Sequence, residues 1–319
     1  MTDAYSSSRL VAGVRTGQQR SIARMISRIE LGAPGVDLEL AELYGSAGRA
    51  HVVGVTGAPG SGKSSLVSAL AASLRRDGKL VGILAVDPSS PFSGGALLGD
   101  RIRMSDHSGD GGVYIRSMAT RGALGGLARA TTDAITVLDA AGMELVLVET
   151  VGVGQAEVDI VRTAHTTLVV SIPGTGDEIQ TIKAGVLEIA DIHVVNKADR
   201  DGANRIIRDL TGMLRLGPPT PPGEWRAPVL GTVATEGRGI DALAAALHEH
   251  YAFLAAGDGL EQRERAMASA RVSAIAQNLV AERLTDSGLG DRAAQILDEV
   301  YHRTLDPFSA ATALVRVTT

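Results

Sequence analysis

The stretch His51-Val52-Val53-Gly54-Val55-Thr56-Gly57-Ala58-Pro59-Gly60-Ser61-Gly62-Lys63-Ser64-Ser65-Leu66 decides the fold. It opens as a short apolar run with the composition of a strand. It then matches G-x-x-x-x-G-K-[ST] in full, and continues into a helical run, 65–76, with Leu66, Leu70 and Leu74 on one face. Glycines let backbone N–H groups turn inward around phosphate oxygens, assisted by the positive end of the following helix. Lys63 would reach the β- and γ-phosphates, and the Ser64 hydroxyl would bind Mg²⁺. A chain with 38 Gly could carry a glycine-rich turn by accident, but strand, loop and helix coincide here with the motif. The cradle is therefore Gly57, Ala58, Pro59, Gly60, Ser61, Gly62, Lys63, Ser64 and Ser65.

Outward from this loop the pattern is α/β. Strand candidates fall at 51–56, 80–86, 112–116, 144–149, 167–172, 192–196 and 229–233, mostly apolar on consecutive residues, as strands covered on both faces are. Helical runs such as 130–141 and 205–216 supply the crossovers of a mostly parallel, twisted sheet covered by helices, the P-loop NTPase arrangement. Three zones follow: a helical N-terminal extension over 1–49, a P-loop G domain over 50–256, and a strand-free helical arm over 257–319. In the first, Ile22, Met25, Ile26, Ile29 and Leu31 recur at helical spacing, and Leu38, Leu40, Leu43 and Tyr44 continue after a Gly–Pro break. In the third, helices are expected over 261–284, 291–303 and 306–315, as an oligomerisation or partner-docking element.

Composition removes several classes of function. The 319 residues are 45% hydrophobic, enough for a sizeable core. Only three Phe, five Tyr and one Trp are present, which argues against a stacking platform for single-stranded nucleic acid. A net charge of −5 gives no electrostatic case for DNA or RNA. With no Cys there are no disulfides, zinc ribbons or thiol catalysis, which fits a reducing cytoplasm. No signal peptide and no apolar run of membrane-spanning length is read, so a cytoplasmic location without membrane partners is expected.

The base is read from Asn196-Lys197-Ala198-Asp199, directly after the apolar run 192–195. In this N-K-x-D pattern the Asp carboxylate accepts two hydrogen bonds, from the guanine ring N–H and the exocyclic amine. Adenine lacks that donor pair and would leave the carboxylate unpaired. Asn196 and the stem of Lys197 would brace the loop and cover the base. Ala234, Thr235 and Glu236, after the last strand, are expected at the base edge. Carboxylates for Mg²⁺ and water are sought at strand ends and in glycine-rich loops: Asp87, Asp100 and Glu149, each of which could instead cap a helix or end a strand. Gln155 lies two residues beyond the place of a Ras-like glutamine and is given no water-positioning role.

These strings together resemble the MeaB/ArgK family, bacterial GTPases associated with methylmalonyl-CoA mutase. The resemblance is carried by the phosphate loop, Asp87-Pro88-Ser89-Ser90 with Ser93-Gly94-Gly95 and Gly99-Asp100, Glu149-Thr150-Val151-Gly152-Val153-Gly154-Gln155, Pro173-Gly174-Thr175-Gly176-Asp177 through Lys183, and Asn196–Asp199. Glu149 in place of the Asp of D-x-x-G is the family's own pattern. Ala96-Leu97, where Ser-Ile is expected, and Thr235-Glu236, where many GTPases carry Ser-Ala, depart from it. The resemblance implies a homodimeric GTPase that uses GTP/GDP and Mg²⁺ as chaperone of an adenosylcobalamin-dependent methylmalonyl-CoA mutase, gating cofactor loading and protecting the mutase. By the same resemblance Asp87, Asp100 and Glu149 serve Mg²⁺ and water, and 174–183 is a third switch with Lys183 as an activated catalytic residue.

Two other classes are weighed. A metal-insertion GTPase uses His or Cys ligands. Here the seven His are scattered, and His248 and His250, two apart on a helix, do not share a face and are expected on a solvated surface. The charged run Glu261-Gln262-Arg263-Glu264-Arg265 is likewise expected to be solvated. An ATPase or kinase linked to basic amino-acid transport, an older reading of the family, is opposed by Asn196–Asp199.

Overall fold

The computed structural model describes residues 2–87, 109–119, 129–150, 162–174, 188–216, 221, 223–285 and 290–318. Among the described residues seven strands form one all-parallel sheet: β1 His51–Gly57, β2 Val81–Asp87, β3 Val113–Ala119, β4 Leu145–Thr150, β5 Thr166–Ser171, β6 Ile192–Asn196 and β7 Val229–Thr232, in the order β3-β2-β4-β1-β5-β6-β7. Each of the seven expected strands is present within a few residues of its expected ends. Every residue of β1, β4, β5 and β6 is buried, whereas β7 at the edge is mostly half-buried. Unbroken apolar runs mark the central strands because both faces are covered.

Alternation along the strands divides the covering layers. Val53, Val55, Leu145, Leu147, Leu168 and Val170 belong to a core shared with the helices Lys63–Arg76 and Ile240–Ala255. Val52, Val146 and Val148 face the other way, into a core built with the helix Arg129–Ala140 and three N-terminal helices, Thr2–Arg15, Gln19–Glu30 and Val36–Tyr44. The N-terminal helices therefore cover the sheet itself. Ile22, Met25, Ile26 and Ile29 form their expected stripe, but Leu31, Leu38 and Tyr44 are exposed, 69%, 74% and 60%. Asp139 ties this layer to the sheet. Its carboxylate accepts the backbone N–H groups of Gly48 (2.6 Å), Arg49 (3.1 Å) and Ala50 (3.2 Å), immediately before β1.

The chain divides into two units, Met1–Met267 and Ala268–Thr319. In the second, the helices Gly290–Tyr301 and Pro307–Thr318 pack on each other. Asp306 caps the latter by accepting the N–H groups of Phe308 and Ser309, and the Ser309 hydroxyl, followed by these N–H groups, holds its carboxyl below the usual range. Among the described residues no helix is long and apolar enough to cross a membrane.

Two expectations need correction. His250 is 1% exposed rather than solvated, because it lies in the apolar stripe Ile240, Leu243, Leu247 and Leu254 of its helix. Arg263, within the run expected to be solvated, pairs with Asp191 at 2.7 Å.

Candidate nucleotide site

All of the described loops that carry site residues leave the C-terminal edge of the sheet, where open α/β sheets bind ligands. The loop after β1 requires glycine at two positions. At Gly57 (φ +142°) a Cβ would overlap the Val170 carbonyl of β5, and at Gly62 (φ +85°) it would lie 2.5 Å from Asn196 Nδ2. The backbone can curl tightly only without those side chains. Lys63 is 6% exposed, and its ammonium donates to the carbonyls of Gly57 (2.8 Å) and Ala58 (3.1 Å) across the mouth of the loop.

Asn196 joins three segments. Its Nδ2 donates to the Ser61 carbonyl (2.9 Å), while Oδ1 accepts from Thr232 Oγ1 (3.2 Å) and the Ala234 N–H (3.3 Å). Phosphate loop, N-K-x-D loop and the turn after β7 are thus fixed to one buried amide. Lys197 adopts φ +57°, a left-handed conformation that costs a non-glycine residue about 1–2 kcal/mol. Its Nζ bonds the Gly60 carbonyl at 2.8 Å, and the next N–H, of Ala198, donates to Thr232 O at 2.9 Å. Strain held by surrounding bonds is a feature of functional sites. The stem of Lys197 is drawn toward the phosphate loop, and Asp199 and Arg200 line a cavity with Gly62, Ser65, Val233, Ala234 and Thr235.

A second group forms at the opposite side of the loop. Register places Glu149, near the end of β4, beside Val55 of β1. Ser64 Oγ donates to Glu149 Oε1 at 2.6 Å, and Glu149 is 8% exposed. A hydroxyl and a carboxylate meeting beside a phosphate loop are the hard oxygen donors that suit Mg²⁺. Asp87 ends β2 on the same edge, one residue past the Val86–Thr150 register, and its side chain lies outside the described residues. Asp100, Gln155 and Lys183 also lie outside them.

The structure therefore brings together the phosphate loop with Glu149 on one side and with Asn196, Lys197, Asp199, Ala234 and Thr235 on the other. Glu236 stands apart: it is exposed, outside the cavity lining, and paired with Arg238 at 2.8 Å. Sequence reasoning does not single out Thr232 or Arg200. Thr232 reads there as one more strand residue, and nothing about an exposed Arg after Asp199 announces a cavity wall.

Comparison with known proteins is decisive at this point, since the profile of the family described as "Methylmalonyl Co-A mutase-associated GTPase MeaB" matches residues 22–288. The chain belongs to the MeaB family. As a MeaB-family member it is a GTPase with guanine-nucleotide chemistry. A relative in Pyrococcus horikoshii is 47% identical over 310 residues, covering 95% of this chain and 95% of the relative. GTPase ArgK of Escherichia coli is 35% identical over 78% of this chain and 77% of its own. The solved structure of an "LAO/AO transport system kinase" is similar over 98% of this chain and 97% of its own, with a TM-score of 0.73 and 27% identity. The MeaB profile begins at Ile22, within the N-terminal helices that cover the sheet.

Proposed function

We propose that this GTPase is a nucleotide-driven chaperone of adenosylcobalamin-dependent methylmalonyl-CoA mutase, gating cofactor loading and protecting the mutase. The observation that supports this most is the match over residues 22–288 to a family described as mutase-associated. In this reading Asp199 accepts the two guanine donors, Lys197 covers the base and Asn196 keeps base loop and phosphate loop in one geometry. On nucleotide binding Lys63 exchanges two carbonyl acceptors for charged phosphate oxygens, which are stronger partners. Ser64 and Glu149, with Asp87 and Asp100, would hold Mg²⁺, which supplies neutralisation of charge on the β- and γ-phosphate oxygens. The residues 257–319 would be the dimerisation arm of a cytoplasmic homodimer.

No Ras-like glutamine or arginine finger is read at the expected spacing in the sequence, so on this proposal the isolated protein turns over slowly. The segment 174–183 would be fixed by the mutase and bring Lys183 to the γ-phosphate, completing a charge clamp of the kind worth about 10³–10⁵ in rate in other systems. The test has two arms. The first is capture of the mutase in GDP and in a non-hydrolysable GTP analogue, where a nucleotide-dependent difference is expected. The second is turnover with and without mutase for the parent and Lys183→Ala. Equal stimulation of both proteins removes Lys183 from the mechanism, and no capture in either nucleotide removes the chaperone role. The transport-kinase reading, which the name of the solved relative raises, requires ATP preference, and the Asp199 carboxylate favours guanine.

A further inference from the structure

At the sheet edge opposite the nucleotide loop, five polar side chains form one chain of contacts. His51 Nε2 lies 2.7 Å from Thr166 Oγ1, which lies 2.8 Å from His250 Nδ1. His250 Nε2 stands 3.4 Å from Asp191 Oδ1, and Arg263 donates to Asp191 Oδ2 at 2.7 Å. His51 and Thr166 open β1 and β5, Asp191 precedes β6, and Arg263 lies near the start of the helix Gly259–Thr285. His51, Thr166 and His250 are buried.

His250 Nε2 faces the Asp191 carboxylate in an electrostatic contact, longer than a hydrogen bond, and a carboxylate can only accept. The neutral His250 ring is accordingly assigned its hydrogen on Nε2, with Nδ1 accepting from the Thr166 hydroxyl. Thr166 in turn accepts from His51 Nε2. Every donor points toward Asp191, whose charge Arg263 balances. Arg263 also donates to the Ala164 carbonyl at 3.4 Å, and Asp191 accepts the Thr167 N–H at 2.8 Å. The other titratable or charged groups facing the chain are His165, whose Nδ1 accepts the Val52 N–H, His248, Tyr251, stacked on His51 at 4.3 Å, Asp139 and Glu264. The single Trp of the protein, Trp225, donates to the Asp191 carbonyl at 2.8 Å and sets its ring edge-on to His250 at 4.8 Å.

The chain can take up one proton from solvent without losing a bond. With a hydrogen on His250 Nδ1 the order reverses: His250 donates to Thr166, Thr166 donates to His51 Nε2, and His51 exchanges its own hydrogen to Nδ1. The net change is one positive charge on His250, which then competes with Arg263 for the same carboxylate.

We propose that this chain is a proton-gated latch on the root of the helix Gly259–Thr285: while His250 is neutral, Asp191 holds Arg263 and the first helical turns against the sheet, and once His250 is charged it takes Asp191 and frees Arg263. Burial disfavours the charged forms of His51 and His250, and Arg263 disfavours charge on His250 further, while Asp191 acts in the opposite sense. The latch is therefore closed at neutral pH and opens in acid, below the ordinary histidine value.

The test uses the full chain, with Trp225 fluorescence and amide exchange of 259–267 followed from pH 7.5 downward, exchange being corrected for its intrinsic pH dependence. In the parent, Trp225 quenching and a loss of protection at 259–267 of about tenfold or more should coincide while far-UV circular dichroism is unchanged. His250→Gln, which keeps a donor toward Asp191 and cannot titrate, should abolish both changes. Arg263→Gln retains every histidine. It should lose protection at 259–267 already at pH 7.5, and should move the Trp225 transition to higher pH because the opposing cation is gone. The second variant keeps the proposal testable should the first fail to fold. Protection lost only together with circular dichroism would overturn the latch, as would Arg263→Gln matching the parent in exchange and in the position of the Trp225 transition.

Discussion

Replacing Asn196 by Ala removes one amide from the junction of three loops. The lost contacts are the bond given to Ser61 O and those taken from Thr232 Oγ1 and the Ala234 N–H. Asn196 is 2% exposed, so water does not readily replace them. At about 0.5–1.5 kcal/mol net per bond, the three bonds cost about 1.5–4.5 kcal/mol. For a cooperative unit of this size each kcal/mol lowers the unfolding midpoint by about 2–3 °C, so a drop of about 3–13 °C is expected. Because the amide joins the base loop to the phosphate loop, GDP affinity should fall about tenfold or more at a temperature where the variant is still folded. Asn196→Asp separates the contributions. It keeps two accepting interactions but sets a carboxylate against the Ser61 carbonyl, so GDP binding should weaken at least as much as in the Ala variant. Differential scanning fluorimetry with and without GDP, and titration with a fluorescent GDP analogue, supply both numbers. An Asn196→Ala protein with a midpoint within about 2 °C of the parent and GDP affinity within about twofold would refute the idea that this amide holds the site together.

Lys63→Ala should reduce phosphate release by about 10²-fold or more, since a preorganised charge on the γ-phosphate is lost, while thermal unfolding shows the fold retained; turnover within threefold of the parent would show the loop to be misread. Asp139→Ala strips the acceptor from three consecutive N–H groups ahead of β1 and should cost about 1–3 kcal/mol, read as a lower urea midpoint at unchanged slope. His193 is 1% exposed, burial lowers it from 6.5 to about 4, and neither ring nitrogen has a hydrogen-bond partner among the described residues. The unfolded chain takes up a proton that the folded one refuses, so stability should fall as pH drops from 6.5 toward 4, by about 3 kcal/mol from this residue. His193→Leu should flatten that decline in urea titrations at pH 7.5 and 5; an unchanged pH dependence would rule the residue out.

The central strands were legible because they are covered on both faces and so read as mostly apolar runs between turn signals. The phosphate loop and Asn196–Asp199 were legible because their chemistry fixes residue type at fixed spacing. The helix Thr2–Arg15 was not, since Ser6-Ser7-Ser8 carry no apolar period and only Leu10, Val11 and Val14 offer a short apolar stripe, which is buried. His250 could have been found: it falls in register with Leu243, Leu247 and Leu254, and a histidine in an apolar stripe is a buried polar group in need of a partner. Asp191 and Arg263 could not, because they meet 72 positions apart with no local pattern linking them. Thr232 supports Asn196 from a neighbouring strand through a pairing register that spacing alone does not reveal.

The central claim is that Asp199 selects guanine, and competition of GTP and ATP against a fluorescent GDP analogue tests it most directly, in the parent and in Asp199→Asn. GTP should displace the analogue at concentrations about 10²-fold or more below those ATP requires. Asp199→Asn turns one acceptor into a donor facing the guanine amine and should lose about 2–4 kcal/mol of GDP affinity, about 30- to 10³-fold. Equal displacement by ATP and GTP in the parent, or an Asp199→Asn protein that binds GDP as the parent does, would contradict the account.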